Sequence, residues 1–79
     1  MTHSVYIIQS DRHGRYYTGM SENIQLRLGY HNQGRNKSTR NGIPWKLIWS
    51  SELMSKSEAL KLERAIKKRG AGRYLLDLS

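Results

Sequence analysis

Several residue types that mark particular classes of protein are missing or scarce in this chain. It has no cysteine, no phenylalanine, one proline and only six acidic residues among 79. The absence of cysteine excludes disulfides and thiolate zinc sites and is typical of a reducing compartment. The three histidines lack metal-ligand spacing. No segment approaches the ~20 apolar residues of a membrane span, so an integral membrane protein is excluded.

What the chain has in excess is positive charge. Fourteen lysines and arginines against six acids give a net charge of +8. Such an excess favours a polyanionic partner, most often nucleic acid, although a merely soluble basic protein would look similar. The length predicts a single domain over residues 1–79. Residues 1–3 lead directly into a predicted strand, so we expect no signal peptide and a cytoplasmic location.

Residues 4–19, SVYIIQSDRHGRYYTG, predict a β-hairpin. Both ends are rich in β-branched and aromatic residues, and a turn cluster with a glycine lies between them. We expect a register in which Ile8 opposes Tyr17. Because side chains alternate between faces, Tyr6 and Tyr17 would then be diagonal neighbours on one face, close enough to act on one substrate atom. The alternative is a pair of half-buried packing residues.

A helix follows, with Ser21 as its predicted N-cap, an end near Asn32 and a stop at Gly34. Arg27 and His31 lie four residues apart and flank the apolar stripe together. A guanidinium can bind two phosphate oxygens and an imidazole can relay a proton. The pair therefore suits a phosphate, or else it consists of two solvated residues on a helix flank.

The next stretch, residues 34–42, has no apolar residue and reads as an exposed loop. We take its three cations, Arg35, Lys37 and Arg40, with Lys46 of the following strand, as candidate nucleic-acid contacts. A solvated linker would have a similar composition.

Residues 45–50, WKLIWS, predict the third strand. Strict alternation would place Trp45, Leu47 and Trp49 on one face. The two tryptophans could stack on bases, but in so small a domain packing is the favoured interpretation.

The last long helix opens with a capping box at Ser55 and runs to Arg69. Its core-facing stripe consists of Ala59, Leu62 and Ile66. Glu63 belongs to the same stripe, where a carboxylate is costly unless it is paired or bound to a cation. An edge position with a partner, or a functional role, would explain it. Residues 73–76 predict a short helix that closes the core.

Together these residues resemble the GIY-YIG nuclease family, in its small stand-alone bacterial branch. Residues 4–6, SVY, occupy the place of the first motif and residues 17–19, YTG, that of the second. Residues 23–32 match the family's arginine helix, and residues 59–68 match its glutamate helix. The resemblance covers nearly the whole chain. Met20 stands where some relatives carry a lysine, and a late asparagine of some relatives has no clear counterpart.

The resemblance implies an α+β fold, a three-stranded antiparallel sheet flanked by helices in the order β-β-α-β-α-α. It implies an endonuclease that hydrolyses DNA with one divalent ion, Mg²⁺ or Mn²⁺. Tyr6 and Tyr17 would activate the nucleophile, Arg27 would stabilise the phosphate, His31 would assist proton transfer and Glu63 would hold the metal. The scattered acids favour one metal over two, because a two-metal site needs several converging carboxylates.

Single-stranded, branched or damaged DNA is the expected substrate, in repair or recombination, and RNA stays open. A protein partner could supply targeting. Two other readings remain at this point: a non-catalytic nucleic-acid-binding module of the same fold, and a structural protein whose basic face docks on an acidic partner.

Overall fold

The computed structural model describes residues 1–79, which form three strands and three α-helices. The strands are β1 (Ser4–Ser10), β2 (Tyr16–Ser21) and β3 (Trp45–Ser50), and the helices are α1 (Ile24–Asn32), α2 (Lys56–Arg69) and α3 (Ala71–Asp77). A 3-10 turn, Arg40–Gly42, precedes β3. This order confirms the predicted α+β fold with a three-stranded antiparallel sheet and three helices.

The strand β1 lies at the centre of the sheet, which has the order β2-β1-β3 with both pairings antiparallel. Ile8 pairs with Tyr17 and Tyr6 pairs with Gly19, so the predicted hairpin register is confirmed. Gly14 supplies the positive φ of 78° that the turn requires.

The two faces of the sheet carry separate cores. On one face Val5 and Ile7 are fully buried with Ala59 and Ile66 of α2. On the other face Tyr6, Ile8 and Trp45 form a second buried cluster, against which residues of α1 and the loop before β3 pack. Alternation along β1 therefore divides its side chains between the cores.

The prediction that Trp45, Leu47 and Trp49 share one face is wrong. The pairing with β1 shifts between Ile7 and Ile8, so that Ile48 is an extra residue in β3. Trp45 and Leu47 pack on the face of Tyr6, whereas Trp49 packs on the opposite face. There the centroid of its ring lies 5.2 Å from the ring centroid of Tyr74 in α3. Both indoles serve packing, as favoured from the sequence.

The helix ends follow local hydrogen bonding. The N-cap of α1 is Asn23, whose side chain accepts from the Leu26 N–H, and not the predicted Ser21, which ends β2. The predicted capping box at Ser55 and Glu58 is present at the start of α2. The longest helix, α2, has 14 residues, and none of the helices combines the length and the apolar character that crossing a bilayer needs.

Candidate active site on the α1 face

The site begins with the close approach of Tyr6 to Gly19. A Cβ added to Gly19 would lie 2.6 Å from the Tyr6 hydroxyl oxygen and 2.7 Å from its Cζ, so the ring occupies space that only glycine leaves free. Tyr6 is only 2% exposed. The glycine of the second sequence motif therefore fixes the position of the tyrosine of the first.

A chain of hydrogen bonds leads inward from this tyrosine. The hydroxyl oxygen of Tyr6 lies 2.8 Å from His31 Nε2, and His31 Nδ1 lies 2.7 Å from Thr39 Oγ1. His31 is fully buried, and Thr39 is 1% exposed. Burial within the core excludes the idea that His31 is a solvated residue on a helix flank.

Thr39 was missed by the sequence reasoning, which treated residues 34–42 as wholly exposed. The hydroxyl of Thr39 bonds His31, and the indole Nε1 of Trp45 donates to the Thr39 carbonyl at 2.7 Å. A polar loop gives no periodic signal for burial, so the only hint in the sequence is the tryptophan six residues later. The loop is anchored at its centre instead of being exposed throughout.

Tyr17 completes the aromatic group and is its more open member. Its ring centroid lies 6.5 Å from that of Tyr6, 5.0 Å from that of His31 and 6.4 Å from that of Trp45. Tyr17 is half-buried, whereas Tyr6 and His31 are enclosed. The structure therefore brings together three of the predicted site residues, with Tyr17 nearest to solvent.

Burial sets the protonation of the two enclosed groups. Desolvation, and next the neighbouring Tyr17, raise the pKa of Tyr6 above its ordinary value, with Glu63 adding to the rise and Arg27 opposing it. Desolvation, and next the charge of Arg27, lower the pKa of His31 below its ordinary value. At neutral pH the pair is therefore a neutral phenol bonded to a neutral imidazole, and the imidazole has one donor and one acceptor nitrogen.

Arg27 projects from α1 into solvent beside this group, and its charge acts on both Tyr6 and His31. It lines a cleft of about 310 Å³ in which three cations face one space. The cleft is lined by Arg27, Tyr30, Arg35, Asn36 and Lys37. The Arg35 guanidinium carbon lies 4.5 Å from the centre of the Tyr30 ring, which holds this cation in place.

The other two candidate nucleic-acid contacts lie elsewhere. Arg40 donates through Nε to the Gly34 carbonyl at 3.0 Å. Lys46 lies between two residues whose side chains pack on the face of Tyr6, so alternation directs it to the opposite face. Its Nζ lies 3.1 Å from Asp11 Oδ1, which offsets part of its charge.

Glu63 lies on α2 with 16% of its side chain exposed, which agrees with the inward direction predicted from the helical stripe. Its Oε2 lies 2.7 Å from Lys67 Nζ, so the carboxylate is paired within its own helix. No group of three or more histidines, cysteines or acids is close enough to form a protein-only metal cage. A metal held here would rely on Glu63, water and the substrate for its ligands.

Comparison with known proteins finds a matching family model and several proteins of similar sequence. A family model described as the GIY-YIG catalytic domain matches residues 2–74. A UPF0213 protein of Streptococcus pneumoniae serotype 4 is 37% identical over 71 residues, covering 87% of this chain and 72% of that protein. A UPF0213 protein of Halobacterium salinarum is 41% identical over 66 residues, covering 82% of this chain and 84% of its own length. No solved structure matches significantly.

Proposed function

The chain belongs to the GIY-YIG catalytic domain family, whose domain implies nuclease-type activity, and from this premise we propose that it is a metal-dependent endonuclease that hydrolyses phosphodiester bonds in DNA. The observation that carries the proposal is the hydrogen bond of 2.8 Å between Tyr6 and His31, within a group bordered by Arg27 and the half-buried Tyr17. A buried phenol and imidazole that serve only packing would not need a cationic border.

Tyr17 and Tyr6 have different roles in activating the attacking water. Tyr17 is the phenol that solvent reaches, and it orients the attacking water. The hydroxyl oxygen of Tyr6 accepts the proton that leaves the water while the phenolic hydrogen passes to His31 Nε2, because a neutral imidazole is a stronger base than a neutral phenol. Burial of the pair lowers the pKa of His31 and so favours the neutral imidazole at working pH.

Arg27 binds the phosphate that is cleaved. Its guanidinium can donate two parallel hydrogen bonds to non-bridging oxygens, and these strengthen as negative charge develops in the transition state. The adjoining cleft extends the positive potential through Arg35 and Lys37. A neighbouring phosphate of the same strand would lie along this cleft.

The residues present fit a single hard cation. Glu63 is a mostly buried carboxylate whose charge acts on Tyr6, and Mg²⁺ typically uses one or two carboxylates together with waters and substrate phosphates. Bound there, Mg²⁺ or Mn²⁺ would neutralise charge on the phosphate and the leaving oxygen. Lys67 competes for the same oxygen. We therefore expect Lys67→Met to tighten Mn²⁺ binding, measured by calorimetry, while Glu63→Gln abolishes it.

The decisive experiment is cleavage of end-labelled single-stranded, branched and duplex oligonucleotides in Mg²⁺ or Mn²⁺. Glu63→Gln and Arg27→Ala should each lower turnover by at least about 100-fold, the scale of one preorganised charge. Glu52→Gln and Arg64→Ala are matched controls, since both lie exposed outside the site. Turnover in Glu63→Gln equal to that of the wild type, with the fold retained, would refute the metal role.

A second candidate, a non-catalytic nucleic-acid-binding module, is favoured by the Glu63–Lys67 pair, which satisfies the carboxylate without a metal. It predicts DNA binding that weakens steeply with salt, without cleavage in any divalent ion. Binding in 50 mM and 200 mM salt, followed on the same samples by the cleavage assay, separates the two functions.

A further inference from the structure

We propose that Thr39 is a positioning residue that selects the tautomer of His31, so that Nδ1 carries the hydrogen and Nε2 presents a lone pair to Tyr6. The catalytic consequence of this assignment rests on the proposed nuclease function. The tautomer itself does not, because it follows from the hydrogen bonds of the folded chain.

The direction of the hydrogen-bond chain follows from its inner end. Thr39 Oγ1 lies 2.7 Å from His31 Nδ1 and 3.4 Å from the carbonyl oxygen of Asn36. A carbonyl only accepts and His31 Nδ1 can donate, so the assigned direction turns the single hydroxyl hydrogen of Thr39 toward Asn36. The oxygen of Thr39 then accepts from His31 Nδ1–H, which leaves Nε2 to accept from the Tyr6 hydroxyl.

The opposite direction leaves one hydrogen without a partner. If Nε2 donated to the Tyr6 oxygen, the phenolic hydrogen would need a further acceptor, and the folded chain offers the Tyr6 hydroxyl no partner other than His31 Nε2. A buried donor without an acceptor destabilises the fold. The assigned direction gives every hydrogen of the chain an acceptor.

The backbone of Thr39 is fixed from both sides. Its carbonyl accepts from the Trp45 indole at 2.7 Å and from the Gly42 N–H at 3.0 Å. Its own N–H donates to the Asn36 carbonyl at 3.2 Å. The backbone therefore keeps the hydroxyl within hydrogen-bond distance of His31, which favours one orientation of the ring.

This arrangement has a consequence for proton transfer. Only the Nδ1–H tautomer can accept a proton from Tyr6, since the other tautomer presents a hydrogen at Nε2. Without the hydroxyl of Thr39, His31 would populate both tautomers, and a fraction of the molecules would be unable to turn over. Thr39 would act through His31 and not by touching the substrate.

The test uses the full chain with ¹⁵N-labelled histidine. Two-bond ¹H–¹⁵N correlation spectra at pH 7.5 should show His31 of the wild type as the Nδ1–H tautomer. Thr39→Val keeps the side-chain volume and removes the hydroxyl, and it should shift the His31 signals toward mixed tautomers. Thr39→Ser retains the hydroxyl and should restore the wild-type pattern. An Nε2–H tautomer in the wild type, or an unchanged pattern in Thr39→Val, would overturn the proposal.

The activity assay supplies a second readout. Thr39→Val should lower kcat about twofold or more, in proportion to the fraction of His31 that leaves the Nδ1–H tautomer. KM for the oligonucleotide should stay unchanged, and Thr39→Ser should recover most of kcat. Equal kcat in the wild type and in folded Thr39→Val would contradict the positioning role. A wild type that cleaves nothing would count against the nuclease function alone, since the tautomer is read without turnover.

Discussion

On one face of the sheet, Val5 and Ile7 pack with α2 and α3 in a core of apolar side chains. On the other face, Tyr6 and Ile8 belong to a core that also contains the imidazole of His31 and the hydroxyl of Thr39. Both cores are supplied by alternate residues of β1. The apolar face is stabilised by the transfer of hydrocarbon out of water. The polar face is stabilised only while each of its buried hydrogens keeps an acceptor.

This difference separates stability from chemistry within one small domain. A packing defect on the apolar face changes the free energy of unfolding and leaves the hydrogen bonds of Tyr6 and His31 in place, while the proposed metal ligand Glu63 lies on the same helix as the defect. A defect on the polar face changes both, because the same hydrogen bonds hold the fold and set the protonation of Tyr6 and His31. The following changes test this separation.

The largest loss of stability is expected for Ile66→Ala on the apolar face. Ile66 is fully buried, so the change removes transfer free energy and leaves a cavity, at a cost of about 2–5 kcal/mol in urea unfolding. Leu60→Ala on the same helix, at a position 38% exposed, should cost clearly less. At a temperature where the variant stays folded, the two-bond ¹H–¹⁵N pattern of His31 should match that of the wild type, because its hydrogen bonds lie on the other face. A His31 pattern that changes in Ile66→Ala would contradict the separation of the two faces.

The substitution Gly19→Ala should disrupt the polar face most directly, because it displaces the ring of Tyr6. The new methyl would lie 2.6 Å from the Tyr6 hydroxyl oxygen, so the ring must move away from His31. We expect a destabilisation of about 1–3 kcal/mol together with loss of turnover. The matched control is Gly29→Ala in α1, where the nearest atom is 3.9 Å away. That variant should gain up to about 1 kcal/mol from helix propensity and keep its activity.

The polar face should also give stability a dependence on mild acid. Burial lowers the pKa of His31, so between its folded value and about 6.5 the unfolded chain binds more protons than the folded chain. Stability is complete above that range and falls as the pH drops through it, by up to about 1.4 kcal/mol per pH unit. His31→Gln should flatten the curve between pH 7.5 and 5 in urea titrations. Parallel curves for the two proteins would contradict the burial of a neutral imidazole.

The smallest effects concern surface cations on the two faces. Lys37 lines the cleft beside Arg27, whereas Lys46 is directed to the opposite face and paired with Asp11. Lys37→Ala should weaken DNA binding and reduce the slope of log affinity against log salt by about 1. Lys46→Ala should change affinity less than half as much. Fluorescence anisotropy at several salt concentrations measures both, and equal losses would show that the partner covers both faces.

The elements that follow strong local rules could be predicted from the sequence. Hairpin register follows from alternation together with the turn, and the helix α2 follows from its capping box and its apolar stripe. The inward direction of Glu63 is also readable from the helical period.

The features that the sequence could not show depend on tertiary contacts. The extra residue at Ile48 is invisible to a period-two pattern, since WKLIWS alternates adequately without it. Asn23 replaces Ser21 as the N-cap because β2 extends to Ser21. Thr39 is polar and lies between polar neighbours, and it is buried only because Trp45 and His31 come from distant elements to bond it.

The central strand also sets where this chain can change its length. Val5 to Ile8 alternate between the two cores with every position buried, so no residue can be added or removed here without changing which core each side chain enters. Inserting or deleting one residue there would turn the phenol of Tyr6 toward the hydrocarbon of α2 and push an isoleucine against His31. Natural or engineered indels should therefore collect in the solvent-exposed turn at residues 11–15, where the register on either side is unaffected.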